Sequence, residues 1–102
     1  LDTEADKVSV HLEKLDEAVN RVDWKEAAGQ LDKINATWRP IRRKWQGLID
    51  HAELDRIDES FARIKSLIDS KENNQCLSEI AVLKQNFLHI PEKEKVNLSN
   101  IF

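Results

Sequence analysis

Methionine is absent from this chain, cysteine occurs once, and glycine and proline occur twice each. Each scarcity excludes something. A lone Cys76 rules out an intrachain disulfide and a cysteine-rich metal centre. So little glycine and proline leaves few special turn conformations, which suits helices. No apolar run approaches the roughly 18 residues that cross a bilayer, and no stretch has the pattern of a signal peptide. Neither sign of charge dominates. Lys and Arg number 16 against 19 Asp and Glu, a formal net charge of −3. Such a balance supplies no global field to draw the chain onto nucleic acid or an anionic membrane. The chain opens on Leu1 although translation starts at Met. The expectation is therefore that something has been removed, either an initiator Met or a signal or anchor.

What is present is helical pattern. The chain has 102 residues, 40% of them apolar and 34% charged. That length is one domain, burying about two-thirds of its unfolded surface. Residues 2–22 read as a first helix whose stripe is Val8, Leu12, Leu15, Val19 and Val22, with Asp2, Glu4 and Asp6 near its positive end. Asp23 is placed to cap a second helix, with Glu26 as its capping-box partner. The second stripe is Ala27, Leu31, Ile34, Trp38, Ile41, Trp45 and Leu48, and it continues through Pro40. Pro40 has no N–H to give the carbonyl of Ala36, so the helix is expected to kink there. Gly47 is the natural residue to end it.

Asp50 and Glu53 repeat the capping pattern before a third helix with Leu54, Ile57, Phe61, Ile64 and Ile68 on one face, running to about Asp69. A polar turn, Ser70 to Asn74, leads to a fourth helix carrying Leu77, Ile80, Leu83, Phe87 and Ile90, and Pro91 stops it. The tail ends in Val96, Leu98, Ile101 and Phe102, which are expected to fold back onto one end of the bundle. Shifted by 49 positions, the stripe residues of the first half fall on those of the second: Val8 on Ile57, Leu15 on Ile64, Ile34 on Leu83, Trp38 on Phe87. The spacing is generic enough that duplication and coincidence both account for it. The predicted fold is all-α, a single domain over 1–102. It has a hairpin over about 2–47, a similar hairpin over about 50–90 and a tail over 91–102. Two hairpins can close into an antiparallel up-down four-helix bundle or stack open. The closed form buries more apolar surface and is the expectation. An open stack would leave an apolar face for a dimer partner, so both monomer and dimer remain open.

Three features invite a chemical reading. Trp38 and Trp45 lie on the stripe, where core packing is the ordinary role for aromatics. Arg39, Arg42, Arg43 and Lys44 interleave with them, and basic residues beside aromatics can hold single-stranded nucleic acid. Here the aromatics face the core and the cations face water. Acidic Glu53, Asp55, Asp58 and Glu59 follow as counter-charges, so a solvated face is the better reading. Arg39, Arg42 and Arg43 are then the candidate protein-contact surface. Finally, an up-down bundle brings His51 to the same pole as His89 and Glu92, a candidate metal site, although the spacing matches no established metal motif. Cys76 sits on the stripe as a buried thiol. The chain holds no G-x-S-x-G, no phosphate-cradling glycine loop, no H-E-x-x-H and no Glu-x-x-His pair of the di-iron bundles. No cofactor is implied.

The run from Trp38 to Phe102 is distinctive: Trp38-x6-Trp45, Leu48-Ile49-Asp50-His51-x-Glu53-Leu54-Asp55, Ser60-x-Ala62-Arg63, Leu77-x-Glu79-Ile80, then His89-Ile90-Pro91-Glu92 and Asn97-Leu98-x-Asn100-Ile101-Phe102. It resembles an uncharacterised family of small Firmicutes proteins, domain of unknown function 4363. That resemblance implies a short N-terminal membrane anchor or signal ahead of Leu1, and a helical domain outside the cytoplasmic membrane. It carries no assigned activity, so no site residues come with it. The expectation is a non-enzymatic, membrane-tethered extracytoplasmic interaction domain with an unidentified protein partner. It touches membrane only through the preceding anchor and binds no nucleic acid. The alternative is a ligand- or metal-sensing domain built on His51, His89 and Glu92.

Overall fold

A computed structural model describes residues 3–88, with side chains from Lys7 to Phe87. It contains helices α1 (Thr3–Asn20), α2 (Trp24–Trp45), α3 (His51–Asp69) and α4 (Asn73–Leu88). Each helix packs on its two neighbours in the cyclic order α1–α2–α3–α4–α1, which is a closed four-helix bundle rather than an open stack. His89, Ile90, Pro91, Glu92 and the apolar tail residues lie outside the described residues, as do the side chains of Asp2, Glu4 and Asp6.

The stripes become the core. Val8, Leu15, Val19, Ile34, Leu54, Ile57, Ile64, Ile80 and Leu83 have almost no exposed surface. Full burial of such a side chain contributes roughly 1.5–3 kcal/mol, so these positions dominate the favourable side of folding. Trp24, off the stripe, packs half-buried against this core. α2 runs through Pro40 without a break. Pro40 is exposed, so water can reach the Ala36 carbonyl that its ring leaves without a donor.

Three stripe assignments are corrected. On α4, Leu77 is only half-buried, while its neighbour Cys76 is fully buried. Val22 is not part of α1: it is 57% exposed. It sits just past the helix with φ 59, its N–H donating to the Val19 carbonyl while Asp23 donates to Ala18. These two bonds close the helix end as a Schellman turn. Leu48 is likewise outside α2. Gly47, at φ +84, turns the chain after Trp45, so that Ile49 becomes the buried residue and Leu48 only half so. A strict 3.6-residue period cannot foresee that change of phase.

The caps form, but the boxes do not close. The Asp23 carboxylate accepts from the Glu26 N–H at 3.1 Å. The return bond is missing because the Asp23 N–H is already spent on Ala18, and the Glu26 carboxylate instead accepts from Gln30 Nε2 at 2.8 Å. Asp50 accepts from the Ala52 N–H at 3.1 Å, while Glu53 holds Arg56 at 2.8 Å.

A β-branched residue in the left-handed region is strained, and exposed Val22 has little packing to offset it. Val22→Gly is expected to stabilise the fold by about 0.5–1 kcal/mol, relief of strain exceeding the extra chain entropy of glycine. A lower urea midpoint for the variant would contradict this reading of the turn.

Candidate functional site

Arg39, Arg42 and Arg43 emerge from the last turns of α2, where cations complement the negative helix end. Their fates differ. The Arg42 side chain is mostly buried, and its Nε donates to Asp58 Oδ2 at 2.8 Å, with Nη2 at 3.5 Å from Asp55. The other oxygen of Asp58 accepts from the Trp38 indole N–H at 3.1 Å. Arg42 is therefore a tie between α2 and α3. Two of the four expected counter-charges, Asp55 and Asp58, pair with the basic cluster. Glu53 and Glu59 turn instead to Arg56 and Arg63 of their own helix.

Arg39 and Arg43, four apart on α2, are exposed, and no side chain among the described residues engages them. Arg39 stands at the rim of a groove of about 320 Å³ between α2 and α3. Buried Leu31 and Ile68 form its floor, and Asp32, Asn35 and Lys65 share the rim. A larger, more open hollow of about 440 Å³ lies between α3 and α4 beside the Arg63–Glu79 pair.

The predicted metal pole is only partly described. His51 is the first residue of α3 and points to solvent, while Glu53 is taken by Arg56. His89 and Glu92 lie outside the described residues, and among those described no group of three metal-ligating side chains converges. His11 is half-buried, with its Nδ1 enclosed and unpaired.

Sequence reasoning missed the polar groups that tie the helices. Ser60 is fully buried on α3 and donates to Glu79 at 3.1 Å, and Glu79 also holds Arg63 at 2.7 Å. Lys84 of α4 reaches Asp16 and Glu13 of α1, both at 2.9 Å. Burial alone would lower the Lys84 pKa, but its hydrogen bonds to the two carboxylates outweigh that and raise it. Asn73, at the start of α4, donates to the Val19 carbonyl of α1 at 2.7 Å. The available signal was position: each of these residues flanks a stripe, where a side chain can meet the neighbouring helix.

Cys76 is buried, and burial pushes its thiol up from 9.0 to about 11. A group whose folded pKa is raised holds its proton more tightly when folded. Its contribution to stability is therefore intact below pH 9 and is lost as pH climbs toward 11. Lys84 adds a loss in the same direction above 10.5. Urea midpoints are expected to fall across this window, and Cys76→Ala should flatten the part below 10.5. An unchanged slope would show that the thiol is not desolvated. The native thiol should also react with a disulfide reagent only after unfolding.

A family model described as a domain of unknown function, DUF4363, matches residues 1–101, and the chain belongs to that family. No curated protein and no solved structure matches it significantly.

Proposed function

We propose that this member of the DUF4363 family is a non-enzymatic protein-interaction domain, held at the outer face of a cell membrane by a segment preceding Leu1. The observation that carries the contact surface is the division of labour along one helix. Arg42 pairs with Asp58 across the partly exposed edge of the α2–α3 interface, while Arg39 and Arg43 are presented outward. Two guanidinium groups that no described side chain engages, on a helix beside a groove lined by both polar and apolar residues, suit recognition of a protein surface that offers carboxylates. Arginine is well matched to that task because its planar fork meets a carboxylate with two bonds at once. The location outside the membrane rests on the family resemblance alone.

A photo-crosslinking residue placed at position 39 in the full-length protein tests the surface in cells. A discrete protein adduct is expected there, absent when the probe sits at Val10 on α1, and lost on adding Arg43→Ala. The same adduct from both positions, or none from position 39, would overturn the assignment. Location is tested separately: the full-length protein should sediment with membranes and be degraded by protease added to intact cells. Protection in intact cells would remove the extracytoplasmic placement.

A further inference from the structure

The turn between α3 and α4 repeats the turn between α1 and α2 bond for bond. The N–H groups of Arg21, Val22 and Asp23 donate to Glu17, Val19 and Ala18 at 3.0, 3.0 and 2.9 Å. Those of Ser70, Lys71 and Glu72 donate to Ser66, Ile68 and Leu67 at 3.0, 3.1 and 2.9 Å, each 49 positions further on. The left-handed residues correspond too, Val22 at φ 59 and Lys71 at φ 57. Core positions follow the same shift, with Val8 and Ile57, Leu15 and Ile64, and Ile34 and Leu83 all buried. Over the described residues the two hairpins thus share a turn and corresponding core positions, and offer the same kind of apolar face to a seam formed by α1 against α4 and α2 against α3.

Apolar faces so alike do not tell one hairpin from the other; the charges on the seam do. Lys84 lies against Asp16 and Glu13 of the first hairpin. The 49-residue shift puts Lys65 and Ala62 at the matching places of the second. Two second hairpins brought together would set Lys84 against Lys65, and like charges in contact are penalised. On the other seam, Asp58 accepts from both Trp38 and Arg42, and its counterpart in the first hairpin is Ser9. Two first hairpins would leave the Trp38 indole N–H without that carboxylate. Arg42 would keep only the counterpart of Asp55, which is Asp6.

We infer that the seam is a charge-coded recognition surface whose partner is the opposite hairpin, supplied by the same chain or by a second copy of it. Between α2 and α3 only residues 46–50 join the hairpins, with Gly47 at φ +84 as the pivot. Opening that linker lets two chains exchange hairpins while keeping every seam contact, the least disruptive route from monomer to dimer.

Two complementary variants of this chain test the inference. Lys84→Glu puts three carboxylates together on one seam, and Glu13→Lys/Asp16→Lys puts three cations there. Only exchange between the two proteins restores opposite charges on both α1–α4 seams. Equimolar mixtures are unfolded together in urea, refolded by dilution at low salt, and read by light scattering after size exclusion and by native mass spectrometry. The expected result is a 1:1 heterodimer of doubled mass, at least tenfold more abundant than either homodimer. The triple variant, with its charges reversed but matched, should return to the assembly state of the unaltered chain. A mixture containing only the species each variant forms alone would overturn the inference. So would homodimers as abundant as the heterodimer, because charge would then not select the partner.

Discussion

The Trp38 indole N–H donates to one oxygen of Asp58, and Arg42 donates to the other. That single carboxylate fixes the residue around which the bundle is assembled. The Trp38 ring meets Trp45 of its own helix edge-on at 5.7 Å, Phe61 of α3 at 6.2 Å and Phe87 of α4 edge-on at 5.4 Å. Aromatic pairs in such arrangements add to the stabilisation from buried area. An indole buried without an acceptor would incur a desolvation cost, so Asp58 lets the largest side chain on the seam sit inside without that penalty. Where Trp38 goes, α2 and α3 are locked in register.

The other interfaces follow the same plan with different residues. Apolar stripes supply the bulk of the stabilisation but little selectivity, since leucine and isoleucine pack against one another in many registers. Polar ties then mark two of these contacts: Glu79 with Ser60 and Arg63 between α3 and α4, and Lys84 with Asp16 and Glu13 between α1 and α4. Asn73 adds a bond from the second hairpin to the last turn of the first. Gln30 and Trp45 each retain one buried polar atom without a partner, so the core is not perfectly satisfied.

Most of the fold was legible because helices announce themselves by period and by caps. Most stripe residues among those described, the caps at Asp23 and Asp50 and the turn at Gly47 sit where the spacing placed them. Errors arose where the chain leaves the helical period. Val22 continued the stripe in sequence but turns out past a Schellman cap, and Leu48 lost its place to Ile49 once Gly47 had turned the chain. The candidate surface was legible as a cluster and not as individuals. Nothing in the order Arg39, Arg42, Arg43 says which guanidinium turns inward. That depends on Asp58 arriving from another helix, a long-range fact that local spacing does not contain.

The same carboxylate bears on the contact surface proposed for α2. By drawing Arg42 inward and steadying α2, it leaves Arg39 and Arg43 as the outward pair on a rigid support. A double-mutant cycle on Trp38→Phe and Asp58→Ala, measured by urea unfolding, tests this dependence most directly. The account predicts non-additive losses, with a coupling of about 1 kcal/mol or more between the two positions. Additive losses would contradict it, because the indole would then owe its place to packing alone.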